Sequence, residues 1–292
     1  MAGEHHFRQV SAGYSMTCGI DPDNRAWCWG QTPALVDGGR RFRQIDVGTD
    51  HVCAVGYDDK KVYCWGSNRT GKLGDGTLTS HQTPAAIAGT RQFRQVSAGW
   101  DHTCALATSG AVFCWGDDSR GQMGDGSEVT HRLTPHRISS SLLFRQLDAG
   151  AYHTCAVTTD NRTFCWGEGR NGQIGDGRFL RRFTPSAVKG GLAFDRVTAG
   201  YSHTCGESTG NRAYCWGNNV YGALGDGTTN GRSTPGPVAG GLFFTQLSAN
   251  GFHTCGVASD DTAYCWGYNW SAQLGDGTIE NRSTPTRVTG VM

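Results

Sequence analysis

The chain has 292 residues, with 26 Lys and Arg against 25 Asp and Glu, so its formal net charge is +1. The basic residues are scattered and form no tail, which argues against nucleic acid as a partner, since that needs a basic footprint. No segment approaches the roughly 20 apolar residues that span a bilayer as a helix, so no membrane span is expected.

The elements recur in chain order. A Cys-Trp-Gly tripeptide begins at Cys28, Cys64, Cys114, Cys165, Cys215 and Cys265, at steps of 36, 50, 51, 50 and 50 residues. Such a period means one structural unit copied along the chain. The repeats cover residues 1–292 as a single domain. The first repeat opens with strand A at Phe7–Ser11 and is short, because Gly30-Gln31-Thr32-Pro33 passes almost directly from strand C to strand D. The fourth repeat shows the full unit. Phe144–Gly150 alternates apolar and polar residues as a half-buried strand A. Tyr152–Val157 is strand B and Thr163–Gly167 is strand C. A long loop from Glu168 to Phe183 precedes strand D at Thr184–Val188. No window holds a 3.6-residue apolar period, so the chain is read as all-β. Four short strands per repeat of about 50 residues is the arithmetic of a propeller blade.

Six four-stranded blades are expected, with seven blades or an incomplete ring as the alternative. The short, glycine-rich link from D to the next A reads as a hairpin within one blade, and the long C–D loop as the crossover. Each blade would then combine D of one repeat with A, B and C of the next. The last D strand, Thr284–Val288, would pair with the first A strand near Val10 and close the ring without exposed edges.

Every Cys-Trp-Gly cysteine has a partner upstream. Cys104 and Cys114 are ten residues apart about a three-residue turn, Thr108-Ser109-Gly110, whose glycine takes positive φ. The cysteines then face each other on neighbouring strands, within reach of a disulfide. Cys18 with Cys28, Cys155 with Cys165, Cys205 with Cys215 and Cys255 with Cys265 repeat the spacing, and Cys53 with Cys64 adds one residue. Free buried thiols and a metal site using His102 are the rival readings; CxxC knuckles are absent. Paired cysteines imply an oxidising compartment, hence an extracellular, cell-surface or periplasmic location. Met1–Val10 carries no signal peptide, so the sequence is read as a mature form.

The string Ala-Gly-x-x-His-Thr-Cys-Ala, then Tyr-Cys-Trp-Gly-x-Asn-x-x-Gly-Gln-Leu-Gly-Asp-Gly-Thr, then Thr-Pro-x-x-Val, resembles the regulator of chromosome condensation repeat over residues 7–290. The cysteines depart from the best-known eukaryotic members and look like a stapled, secreted, bacterial-type version. The resemblance implies a propeller, usually of seven blades, and several unrelated functions. One is nucleotide exchange on a small nuclear GTPase, for which this chain lacks a basic tail and a long wedge hairpin. Another is UV-B sensing through a Gly-Trp-x-His-Thr motif, matched only by Gly99-Trp100-Asp101-His102-Thr103. A third is inhibition of β-lactamase by a secreted propeller that grips a protein, which suits this chain best.

The repeated residues read as scaffold. Trp29, Trp65, Trp115, Trp166, Trp216 and Trp266 pack between blades. His51, His102, His153, His203 and His253 hydrogen-bond neighbouring backbone. Asp75, Asp125, Asp176, Asp226 and Asp276 sit between glycines and form turns. Function is expected where repeats differ, in the A–B turns: Tyr14, Asp50, Trp100, Asp101, Tyr152, Tyr201 and Phe252, gathered on one face. The C–D loops form a second varied set, with Tyr268 and Trp270, and with Phe179, Arg181, Arg182 and Phe183. Sequons at Asn68, Asn161, Asn269 and Asn281 are attributed to turn composition. No nucleophile elbow, phosphate loop, metal cluster or carboxylate pair is evident, so no catalytic residue, metal or cofactor is assigned and an enzyme is not expected. The leading expectation is a protein-binding scaffold. A carbohydrate-binding or enzymatic propeller, and an intracellular exchange or signalling factor with reduced cysteines, stand as alternatives.

Overall fold

A computed structural model describes residues 6–36, 38–127 and 129–289. The protein is an all-β, six-bladed propeller with four antiparallel strands per blade, and no helix occurs among the described residues. The first blade holds β1 (Gln9–Ala12), β2 (Thr17–Ile20), β3 (Ala26–Trp29) and a two-residue β4 (Ala34–Leu35). The second holds β5 (Phe42–Val47), β6 (His51–Gly56), β7 (Val62–Gly66) and β8 (His81–Ala86). The third holds β9 (Phe93–Ala98), β10 (His102–Ala107), β11 (Val112–Asp117) and β12 (His131–Arg137). The fourth holds β13 (Phe144–Ala149), β14 (His153–Thr158), β15 (Thr163–Gly167) and β16 (Arg182–Ala187). The fifth holds β17 (Phe194–Ala199), β18 (His203–Ser208), β19 (Ala213–Gly217) and β20 (Arg232–Pro237). The sixth holds β21 (Phe244–Asn250), β22 (His253–Ala258), β23 (Ala263–Gly267) and β24 (Arg282–Arg287). The chain divides into two compact units, Met1–Phe144 and Arg145–Met292.

Strand order within every sheet is sequential, A-B-C-D. This corrects the expected blade boundary and the expected clasp. Strand D pairs with strand C of its own repeat, as in Cys64↔Ala85 and Cys265↔Thr286, so β24 completes the sixth blade and, among the described residues, the sheet holding β1 consists of β1–β4. Loop length misled because the long C–D loop does not travel. It folds back on itself around a buried asparagine. In the second repeat the Asn68 amide donates to the carbonyls of Thr77 and Thr79 and accepts from Leu73 N–H at 2.9 Å. Asp75 closes the loop by accepting from Thr77 N–H at 2.9 Å, so the Gly-Asp-Gly aspartates do form turns. Asn219 and Asn269 repeat the arrangement.

All six disulfides join directly opposed residues of strands B and C, with Cα–Cα distances of 4.1–4.2 Å. That spacing is close to the narrow pair of an antiparallel ladder. No described cysteine remains free, so Cys104 and Cys114 stand beside His102 as a disulfide and not as thiolates. The turn that brings each pair into register needs one left-handed residue, filled by Gly110 in the third blade and by Asn24, Lys60, Asn161, Asn211 and Asp261 in the others.

The cores lie between successive blades rather than within them. One joins Val55, Val62 and Leu73 of the second repeat to Phe93, Val96 and Trp115 of the third. Another joins Leu224 of the fifth to Phe244, Leu247 and Trp266 of the sixth. Trp65, Trp115, Trp216 and Trp266 pack between blades as expected, whereas Trp29 stacks on Phe7 of its own blade. Trp115, Trp216 and Trp266 donate their indole N–H, each at 2.9 Å, to the carbonyls of Lys72, Gln173 and Ala223 in the preceding repeat's loop. Gly74 must be glycine there, because a Cβ would lie 2.6 Å from Trp115 Nε1. The histidines differ from expectation. His51, His153 and His203 bond the hydroxyls of Thr103, Thr204 and Thr254 in the next repeat at 2.8–2.9 Å, not backbone. Strand A adds a further bridge: Gln44 donates to Val96 O and accepts from Val96 N–H, both at 2.9 Å.

Candidate interaction face

The A–B turns are built to display two residues. In each of four repeats a glycine N–H bonds the histidine carbonyl three residues on, at 2.9 Å: Gly48 to His51, Gly99 to His102, Gly150 to His153 and Gly200 to His203. The pair between them forms the tip. The tip is tied to the C–D loop, because the carbonyl of its second residue accepts from the residue after Cys-Trp-Gly. Asp50 O accepts from Ser67 N–H, Tyr152 O from Glu168 N–H, and Phe252 O from Tyr268 N–H, at 2.8–3.0 Å. An A-B-C-D meander also puts its first and third connections at the same end. The two varied sets, separate in the sequence, therefore share one end of each blade.

In the second unit this juxtaposition yields an unbroken aromatic chain. Ring centroids lie 5.7 Å apart for Tyr152–Tyr201, 4.7 Å for Tyr201–Phe252 and 5.5 Å for Phe252–Tyr221. The chain continues with Tyr221–Tyr268 at 5.0 Å and Tyr268–Trp270 at 5.5 Å. These separations and their edge or tilted geometry are those of favourable aromatic pairs. Trp270 is 65% exposed. Tyr221 was missed in the sequence, although it is an aromatic in the same varied loop position that holds Thr70, Arg120, Asn171 and Ser271. Phe179 and Phe183 are exposed on the fourth blade's C–D loop, whereas Arg181 and Arg182 are tied to Glu168 and Asp176.

In the first unit the same end is ionic. Lys72, only 2% exposed, reaches from its C–D loop to Asp50 and to Asp101, the latter at 2.8 Å, and lies 3.5 Å from Trp100 O. Burial pulls the Asp50 carboxyl upward, but the Lys72 ammonium outweighs it and holds the pKa below the usual range. Beneath them His51 is driven down to about 3, first by burial and then by Lys72, so it is neutral. Lys72 was also missed; it is the charged residue at a loop position otherwise held by Gln122, Gln173, Ala223 and Gln273. Tyr14 stands 88% exposed and joins no ring pair among the described residues. Of the sequons, Asn68 and Asn269 are fully buried with their amides engaged.

Stapled four-stranded blades, each with a repeated frame and a varied loop end, define a repeat-built β-propeller. The chain belongs to the RCC1-like domain family, whose model matches residues 9–292. It is 32% identical over 146 residues to the ultraviolet-B receptor UVR8 of Arabidopsis thaliana, covering 49% of this chain and 33% of that receptor. Among solved structures it is similar to yeast RCC1 (Prp20) in its complex with Kap60, with a TM-score of 0.85 at 21% identity, covering 97% of this chain and 74% of that one. It is also similar to the ectodomain of the Physcomitrella patens receptor kinase CR4, with a TM-score of 0.62 at 26% identity, covering 91% of this chain and 65% of that one.

Proposed function

We propose that the protein is a non-catalytic binding propeller that works outside the cytosol and captures a protein partner on the loop end of its blades. The observation that carries this reading is the aromatic chain from Tyr152 through Tyr201, Phe252, Tyr221 and Tyr268 to Trp270. Tyr and Trp are over-represented among residues that dominate binding energy, because they bury large area at little entropic cost. Most of these rings are held against one another before any partner arrives, which lowers the cost of ordering them. Six disulfides support an oxidising compartment. The likeness to a receptor-kinase ectodomain supports the same reading, and the yeast relative in complex with Kap60 supports a protein as the partner.

The test is capture from the native environment by the intact protein and by a Tyr221→Ala/Trp270→Ala double variant. Two lost anchors of about 2 kcal/mol each weaken capture by several hundredfold, with the melting transition nearly unchanged. Equal capture by both proteins sinks the assignment of this surface.

A further inference from the structure

The opposite end of the first two blades carries a different kind of site. We propose that the cleft lined by Arg8, Asn24, Arg43 and Tyr57 binds a multiply charged oxyanion, a phosphate or sulfate group. The cleft has a volume of about 580 Å³, within the range of small-ligand sites. It is formed by the second residue of β5, the residue before β1, and the B–C connections of both blades.

Its charge is unbalanced. Two guanidinium groups line it, with an amide and a phenol, and no carboxylate does so among the described residues. Among the described residues the neighbouring acids are already taken. Asp58 receives both oxygens' bonds from Arg41, at 2.9 and 3.1 Å. Asp21 and Asp23 are paired with Arg25, and Asp59 accepts from Tyr63 at 2.5 Å. Neither Arg8 nor Arg43 forms an ion pair among the described residues, so the cleft carries two positive charges without a paired carboxylate.

Arg43 also breaks the repeat's own rule. The arginine that follows the strand A phenylalanine normally donates to the next repeat's phenylalanine carbonyl. Arg8 does so to Phe42 at 2.8 Å, Arg94 to Phe144, and Arg145 to Phe194 at 2.9 Å. The Arg43 guanidinium makes no hydrogen bond or ion pair among the described residues, so its donor fork is uncommitted. Arg8 is anchored by the carbonyls of Phe42 and Arg43, which holds a second guanidinium beside the first. Planar forks of this kind match the oxygens of phosphate and sulfate, and an anion between them relieves their mutual repulsion.

The test is isothermal titration of the full chain with inorganic phosphate, sulfate and phenyl phosphate at constant ionic strength, with acetate as the monovalent control. Saturable binding of the dianions is expected. Arg43→Gln should weaken it about tenfold or more without lowering the melting temperature, since Arg43 holds nothing in place. Tyr57→Phe should weaken it about threefold. Arg69→Gln, an exposed arginine on the other end of the second blade, should change nothing. Tighter binding of phenyl phosphate than of phosphate identifies the group as an ester on a larger molecule, and equal binding identifies the free ion. The proposal is overturned by the absence of saturable binding, by equal competition from acetate, or by equal losses in the Arg43 and Arg69 variants. The Arg43 and Tyr57 variants share no residue with the Tyr221→Ala/Trp270→Ala double variant, so failure of the anion site and failure of the aromatic face are told apart by separate measurements.

Discussion

The indole N–H of Trp115 donates to the carbonyl of Lys72 across 43 residues, at 2.9 Å, while the Lys72 side chain reaches Asp50 and Asp101. One residue thus joins two blades through its backbone and organises the loop end through its ammonium. The Lys72 carbonyl also accepts from Thr103 Oγ1 at 2.9 Å. The scaffold and the candidate face therefore meet at the same loop.

Trp115→Phe keeps an aromatic ring but removes that N–H and leaves space where the indole was. The Lys72 carbonyl retains Thr103, so the loss is a partial one. Destabilisation of about 1–3 kcal/mol is expected, read from chemical denaturation. Trp270→Phe, at an exposed ring, should change stability by less than about 0.5 kcal/mol.

The buried histidines make stability fall on acidification. Burial drives His102 and His203 down to about 3, as it does His51. In the unfolded chain each takes up a proton near 6.5, while the folded protein resists until about 3. The unfolded state binds more protons throughout that window, so stability is full above about 6.5 and is lost as pH falls toward 3. Each such histidine adds a slope of about 1.4 kcal/mol per pH unit. His203→Gln, which can keep a bond to Thr254, should flatten the slope by one proton. Stability measured at pH 7, 6, 5 and 4 in both proteins checks this.

Asp118 occupies the loop position that holds Asn68, Asn219 and Asn269 in other repeats. Burial, with Asp125 and Asp117 nearby, raises its pKa to about 7. One oxygen accepts from Met123 N–H at 2.9 Å and the other is buried with no partner among the described residues, an environment that favours the neutral acid. The folded state holds this proton where the unfolded state, with its carboxyl near 3.9, has lost it. Its contribution to stability therefore declines as pH rises from about 4 to 7. Asp118→Asn should stabilise the protein at pH 8 by on the order of 1–3 kcal/mol and have little effect at pH 4. Denaturation curves of the two proteins at both pH values decide it.

Much of the fold was legible because the repeat prints its local rules six times. The three-residue turn at Thr108–Gly110 carries its left-handed glycine, and each cysteine pair meets across it, because hairpin register is a local property of turn length. Trp115 and Trp266 were readable as packing residues from their recurrence. The partners of the histidines were not, because Thr103 lies 52 residues from His51 and only blade stacking brings them together. The blade boundary was misread for a related reason. The length of the Asn68–Thr79 loop looks like a crossover until the Asn68 amide is seen to hold it closed.

The sequence by itself determined the all-β repeat, the strand and turn positions, the disulfide pairs and the varied A–B tips, all of which depend on residues close together along the chain. Only the tertiary structure decided that Tyr221, Tyr268 and Trp270 join Tyr201 and Phe252, that Lys72 lies between Asp50 and Asp101, and that Arg43 is left uncommitted. Those relationships arise from stacking one blade on the next, where side chains about 20 to 50 residues apart come within a few ångströms.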